Sequence, residues 1–248
     1  MIAIEDLEYR YPDGTLALQG ITFSVNAGEF LVICGANGSG KTTLLRHLNG
    51  LLLPSRGSVK VAGLDTARHG SQARQLVGMV FQDADCQIVS ETVAEDVGFG
   101  PENLGLTDSE VAIRVEASLS AMGIPHLARK PIHRLSGGEK RRVAIAGVLA
   151  MAPQVIVFDE PFANLDFAGV QQVLREILRL HHLGHTVVVT THDLEKVIAH
   201  ATRLAILFQG SLWALGAPQD LLDELPKVGM RPPCYAILGT RVLSWLNV

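Results

Sequence analysis

The sequence predicts an α/β fold built around a phosphate-binding loop, and three stretches carry that prediction. Residues 35–43 read G-A-N-G-S-G-K-T-T, between the apolar run 30–34 and the helix-compatible run 44–48. Residues 155–158, V-I-V-F, end in Asp159 and Glu160. Residues 186–190, T-V-V-V-T, deliver His192 just past their end. Short apolar runs bounded by turns are strands buried on both faces, as in a parallel sheet covered by helices.

The glycine loop comes first because its pattern is the most restrictive. Strand, then G-x-x-x-x-G-K-[ST], then helix is the order a P-loop needs. Gly35, Gly38 and Gly40 let the backbone turn sharply and bring N–H groups close to phosphate. Ala36, Asn37 and Ser39 occupy the variable positions. The helix starting beside the loop aims its positive dipole end at the same place. Lys41 can reach the β- and γ-phosphates, and the Thr42 hydroxyl can ligate Mg²⁺, with Thr43 following. An ordinary glycine turn before a helix would need neither the lysine nor the hydroxyl. A dinucleotide fingerprint has different glycine spacing and no closing lysine.

Composition bounds the rest. A chain of 248 residues suits one large α/β domain, or one with a small appended subdomain. The formal charge of −4 steers nothing toward nucleic acid. Cys34, Cys86 and Cys234 are far apart and lack metal spacing, which with no leader-like segment fits a reducing cytosol. Mean hydropathy is +0.26, yet no charge-free stretch is longer than 143–158, which falls short of the ~20 residues a bilayer span requires. It reads as a buried helix followed by a buried strand. Any membrane role therefore comes through a partner.

In chain order, residues 1–30 look antiparallel. Ile2 and Ile4 alternate with other residues, Pro12-Asp13-Gly14 is a turn, and Ile21, Phe23 and Val25 alternate again. Tyr11 lies in this opening sheet, either as a plain sheet tyrosine or as an aromatic stacked on a base. Residues 58–61 and 77–81 are further strands, and Gln82 stands where the second ends. Read alone, Gln82 is a loop residue. Thr107 and Glu110 form a capping box before a helix whose apolar face is Val111, Val115, Leu119 and Met122. A mostly helical insertion is expected over about 82–134.

Ser136-Gly137-Gly138 precede a long helical run at 141–152. Serine there is an N-cap, or part of a second phosphate cradle. Asp159 at the tip of an apolar strand suits a metal-orienting acid, and the adjacent Glu160 is placed to accept a proton from water. Residues 163–166 form a loop before another helix, with Val173, Leu174, Ile177 and Leu178 on its apolar face. His192 in isolation is equally a satisfied loop histidine. His181 and His182 are neighbours on a helix, do not face one site, and suit its C-terminal dipole. Residues 204–208 and 211–215 flank Gln209-Gly210 as a hairpin.

Together these residues resemble an ATP-binding cassette (ABC) ATPase, over nearly the whole chain to about Gly216. Tyr11 matches the family's A-loop aromatic, 35–42 Walker A, Gln82 the Q-loop, 135–138 the signature motif, 155–160 Walker B, 163–166 the D-loop and His192 the H-loop. The resemblance implies a RecA-like core, an N-terminal antiparallel β-subdomain and an inserted α-helical subdomain. The expected division is an ATPase domain at 1–222 and a short C-terminal segment at 223–248. It also implies roles. Glu160, His192, Lys41 and Gln82 are catalytic. Tyr11, residues 35–43, Ser136, Gly137, Gly138 and Asp166 bind ATP, and Thr42, Gln82 and Asp159 bind Mg²⁺.

A narrower likeness follows from V-G-M-V-F-Q-D at 77–83, the run 92–106 and L-S-G-G-E-K-R-R-V-A-I-A-G-V-L at 135–149. These are similar to the ATPases of energy-coupling factor (ECF) importers, including the cobalt and nickel branch. That family implies a second ATPase subunit, a transmembrane T-component and a substrate-binding S-component at the cytoplasmic face of the cell membrane, and no nucleic acid. The mixed apolar and acidic stretch 83–96 would suit a groove receiving basic coupling helices. Two departures stand out. Glu139 occupies a position where many relatives carry Gln, and the C-terminus is shorter than in many vitamin-type ECF ATPases, which favours the metal branch.

Overall fold

The glycine loop hangs from the middle of a six-stranded sheet in a computed structural model that describes residues 1–240 and 244–246. Its strand, β3 (Phe30–Cys34), is numbered after β1 (Ile2–Arg10) and β2 (Leu16–Val25). β3 pairs in parallel with β8 (Thr186–Thr191) on one side and β9 (Arg203–Phe208) on the other. Beyond β8 lie β7 (Val155–Asp159) and β6 (Val77–Val80), both parallel, and β10 (Ser211–Gly216) closes the far edge antiparallel to β9. Every residue of β3, β6, β7 and β8 is buried, which is why these strands read as continuous apolar runs. The register sets Cys34 opposite Thr191, Thr190 opposite Asp159 and Phe158 opposite Val80. The carboxyl ends of the four strands therefore line up, where open α/β sheets place ligand-binding groups.

The N-terminal stretch folds as expected into an antiparallel sheet, β2-β1-β4-β5, with β4 at Arg56–Val61 and β5 at Leu64–Asp65. Helix α1 (Lys41–Leu48) is packed between the two sheets. Its Leu44, Leu45 and Leu48 join Leu31 and Ile33 of β3 and Ile2, Ile4 and Val59 of the small sheet in one core. Phe30, Val32 and Cys34 point the other way, into a second core with α6 (Phe167–His182). Alternate side chains of one strand thus feed both cores.

Residues 64–76 hold β5 and a short helix, α2 (Gly70–Leu76), neither of which the apolar pattern announces. Three helices then pack against one another, α3 (Val93–Asn103), α4 (Asp108–Ala121) and α5 (Gly137–Ala150). The Thr107–Glu110 capping box forms as read. Helix α5 starts at Gly137, four residues before the expected run, because Ser136 supplies the cap. It lies so close to β6 that a Cβ on Gly78 would stand 2.3 Å from Val148 Cγ1. The β9–β10 hairpin turns on Gln209 and Gly210, both at positive φ, as a two-residue turn of primed type requires.

The expected C-terminal segment carries α7 (Cys234–Leu238), and Ser244–Trp245–Leu246 fold back on the domain. The rest of that segment, 241–243 and 247–248, lies outside the described residues. Among the described residues no helix is long and apolar enough to cross a membrane.

Candidate active site

The loop after β3 is shaped by contacts that only glycine tolerates. A Cβ on Gly35 would meet the Leu207 carbonyl oxygen at 2.4 Å. Gly40 has φ +102, and a Cβ there would meet Leu18 Cδ2 at 2.8 Å. Lys41 is buried, and its Nζ donates to the carbonyls of Gly35 at 2.7 Å and Ala36 at 3.2 Å. The same Nζ stands 3.5 Å from Glu160 Oε1.

Glu160 is the hub of the site. It is a non-glycine residue at φ +45, a conformation that costs of order 1–3 kcal/mol and persists only where its surroundings hold it. Its amide donates to the carbonyl oxygen and the Oγ1 of Thr190, both at 3.1 Å. Its Oε2 is 2.9 Å from His192 Nδ1 and accepts from the His192 amide at 3.3 Å. The carboxylate is thus suspended between a lysine and a histidine, 8% exposed and facing a cleft lined by Tyr11, Asn37, Gly38, Lys41, Thr43, Gln82 and His192. A mostly buried carboxylate beside such a cleft is the arrangement a general base needs.

An adjoining cleft brings Thr42, Gln82 and Asp159 together. Their hydroxyl, amide carbonyl and carboxylate are the hard oxygen donors that Mg²⁺ takes. The donor set fits that ion. Asp159 Oδ1 accepts from Thr190 Oγ1 at 2.7 Å, so the carboxylate is already oriented from behind.

At the other end of the cleft, the Tyr11 hydroxyl is 2.9 Å from Thr43 Oγ1. The Tyr9 ring sits edge-on to Tyr11 and to His47, with centroids 4.9 Å and 4.7 Å apart. His47 is fully buried, its Nδ1 2.8 Å from the Thr43 carbonyl, and burial pushes its pKa down.

Ser136, Gly137, Gly138 and Asp166 line neither cleft. Ser136 caps α5, its Oγ accepting from the Glu139 amide at 3.2 Å. Glu139 returns the bond at 2.6 Å and pairs with Lys130 at 3.2 Å. The Ser136 amide and Lys130 hold that carboxyl below its ordinary value. Ser136 and Gly137 are exposed. Asp166 is exposed and caps α6 through Gly169. In one chain Ser136, Gly137 and Asp166 are exposed and Gly138 is half-buried, and none of them lines the cleft that holds Lys41.

Two participants carried no sequence signal. Thr190 reads as one more β-branched strand residue, and Arg141 as one more helix cation. The buried Arg141 guanidinium donates to the Gln82 carbonyl at 2.8 Å. Only the strand register and the helix packing bring either of them to the site.

A lysine-bearing glycine loop, with an acid pair on a second strand and a histidine past a third, defines a P-loop nucleoside triphosphatase. The family model described as ABC transporter matches residues 18–163, and the chain belongs to that family. It is 42% identical over 244 residues to a protein of Methanocaldococcus jannaschii named energy-coupling factor transporter ATP-binding protein EcfA, covering 96% of this chain and 88% of that one. It is 46% identical over 239 residues to the cobalt import ATP-binding protein CbiO of Rhodobacter capsulatus, covering 94% and 85%. Among solved structures, cbiO1 of Clostridium perfringens, described as part of the ABC transporter complex cbiONQ, superposes with a TM-score of 0.82 at 38% identity, covering 96% of this chain and 98% of that one. A dimeric ATP-binding cassette in a post-hydrolysis state, bound to ADP and Pi, superposes with a TM-score of 0.78 at 28% identity, covering 88% and 99%.

Proposed function

We propose that this chain is the ATP-hydrolysing subunit of an ECF-type importer, acting at the cytoplasmic face of the membrane and powering uptake of cobalt or nickel. The observation that carries the hydrolytic reading is the Glu160 carboxylate held between Lys41 and His192 beside the glycine loop. The EcfA and CbiO relatives support the importer class, and the CbiO relative supports the metal cargo. An ECF importer of another cargo is the second reading, favoured by the EcfA names.

In this mechanism Lys41 and the amides of residues 35–43 hold the phosphates. Tyr11 packs on the base, fixed through its hydroxyl by Thr43. Thr42, Gln82 and Asp159 hold Mg²⁺, which when bound neutralises phosphate charge. Glu160 takes the proton of the attacking water, and His192 keeps the carboxylate aimed and contacts the γ-phosphate. Ser136, Gly137 and Asp166 are exposed and Gly138 is half-buried beside them, which suits a second ATPase subunit that closes this motif over this chain's nucleotide. The ATPase domain is assigned to 1–222, with its helical part at about 82–134, and 223–248 is a short appendage.

A groove between the core and the helical layer, lined by Leu51, Phe81, Val89, Phe99 and the half-buried Met151, suits a T-component helix, with an S-component beyond it. The deciding experiment is purification of the full chain with its membrane partners. A complex that contains a hydrophobic T-component and takes up cobalt or nickel only with ATP is the expected result. Recovery of the chain without any membrane subunit would sink the importer reading.

A further inference from the structure

Thr190 on β8 is fully buried, directly after three consecutive valines, Val187, Val188 and Val189. Shape alone would account for a β-branched residue there. The hydroxyl is a separate matter, because Val would fill the same space. Thr190 Oγ1 donates to Asp159 Oδ1 at 2.7 Å and accepts from the Glu160 amide at 3.1 Å. Its other acceptor, the Phe158 carbonyl, lies at 3.4 Å, too far to compete for the proton. The register that sets Asp159 opposite Thr190 makes both contacts a consequence of sheet pairing.

One hydroxyl therefore serves two consecutive acids in two ways. It ties one oxygen of Asp159 from behind, which fixes the carboxylate plane and leaves Oδ2 for other partners. It also shares with the Thr190 carbonyl the amide of Glu160, the residue held at φ +45, and so adds a second anchor to that turn. If that turn relaxed, the Glu160 carboxylate would leave Lys41 and His192.

We infer that Thr190 is a positioning residue for hydrolysis, setting the Asp159 carboxylate for the cation and holding the Glu160 turn for the attack on water. The inference rests on the roles proposed above for Asp159 and Glu160. Thr190 touches no substrate and acts only through them.

The test uses the full chain and the variants Thr190→Val and Thr190→Ser, with Glu160→Gln in parallel. The readouts are kcat, KM for ATP, thermal unfolding, and the affinity of Mn²⁺ for the nucleotide-bound chain by electron paramagnetic resonance. Thr190→Val is expected to lower kcat about 10- to 100-fold, the loss of one hydrogen bond to a charged group expressed in the transition state. KM for ATP stays within about threefold, because the loop that holds the phosphates is untouched. Mn²⁺ binds several-fold more weakly, and Thr190→Ser restores both values.

Unchanged kcat and Mn²⁺ affinity in Thr190→Val would overturn the inference. So would a serine variant as impaired as the valine one, which would make the effect one of shape. If Thr190→Val fails to fold, Thr190→Ala removes the same hydroxyl and is read the same way. Wild-type turnover by Glu160→Gln would instead strike at the proposed base, and the Mn²⁺ measurement would still decide the Asp159 half.

Discussion

Arg141 on α5 donates to the backbone carbonyl of Gln82 at 2.8 Å, joining the helix that Ser136 caps to the loop that leaves β6. Two more bonds run alongside it. Lys140 pairs with Asp85 at 2.5 Å, and Gln87 donates to the Ala144 carbonyl at 3.2 Å. The loop and the helix are stitched together, so a displacement of either moves the other.

Those bonds differ in burial, and their worth differs accordingly. Arg141→Met is expected to cost about 1–3 kcal/mol, because it strips a charged donor from a part-buried carbonyl. Lys140→Ala, whose partner Asp85 is 65% exposed, should cost no more than about 1 kcal/mol. Urea unfolding of the two variants compares them directly. Equal losses would show that the Arg141 bond has no special weight.

Replacing Glu160 by Gln keeps the shape of the side chain and removes its basicity. ATP binding should persist while turnover drops about 10²- to 10⁴-fold, the usual contribution of a positioned base. Equilibrium ATP binding and single-turnover hydrolysis, measured side by side, check this. A variant that loses binding and turnover together would place Glu160 in the fold instead of the chemistry.

His47 makes stability depend on acidity. Burial holds its imidazole below the ordinary value of 6.5. The unfolded chain therefore takes up a proton below pH 6.5 that the folded chain refuses until lower pH. Stability should fall as pH drops below 6.5 and stop falling from this source below the folded-state value. In His47→Phe the dependence disappears, so the gap between wild type and variant should narrow on acidification. Urea midpoints at a series of pH values measure that gap, and a constant gap contradicts the account.

Gly78 lets α5 lie directly on β6. Gly78→Ala would place a Cβ 2.3 Å from Val148 Cγ1 and 3.0 Å from Pro153 Cγ, neither the end of a flexible side chain. Overpacking of this kind costs about 1–3 kcal/mol. The loss should appear in thermal unfolding and should be relieved in the double variant Gly78→Ala with Val148→Ala.

Much of this was legible beforehand because the informative residues are local. The glycine loop, the capping box at Thr107 and the Gln209-Gly210 turn each depend on neighbours a few positions away. The doubly buried strands are legible because solvent never touches them, so their composition is uniformly apolar. The helix α2, G-S-Q-A-R-Q-L, buries only Ala73 and so shows no periodicity. The position of β3 between β8 and β9 depends on pairings across more than 150 residues, which no window of sequence contains. Thr190 and Arg141 escaped for the same reason. Each meets its partner only after the sheet and the helical layer have assembled.

The place of β3 within its sheet bears on how the molecule breathes. Its peptide groups are flanked by strands on both sides and its side chains feed both cores, so they should exchange with solvent deuterium only through global opening. Helices α3 and α4 pack mainly on each other and on α5 and form no part of either sheet, which allows smaller, cheaper excursions. The phosphate cradle thus hangs from a strand expected to open only with the whole fold, while α3 and α4 belong to a layer that can open by itself.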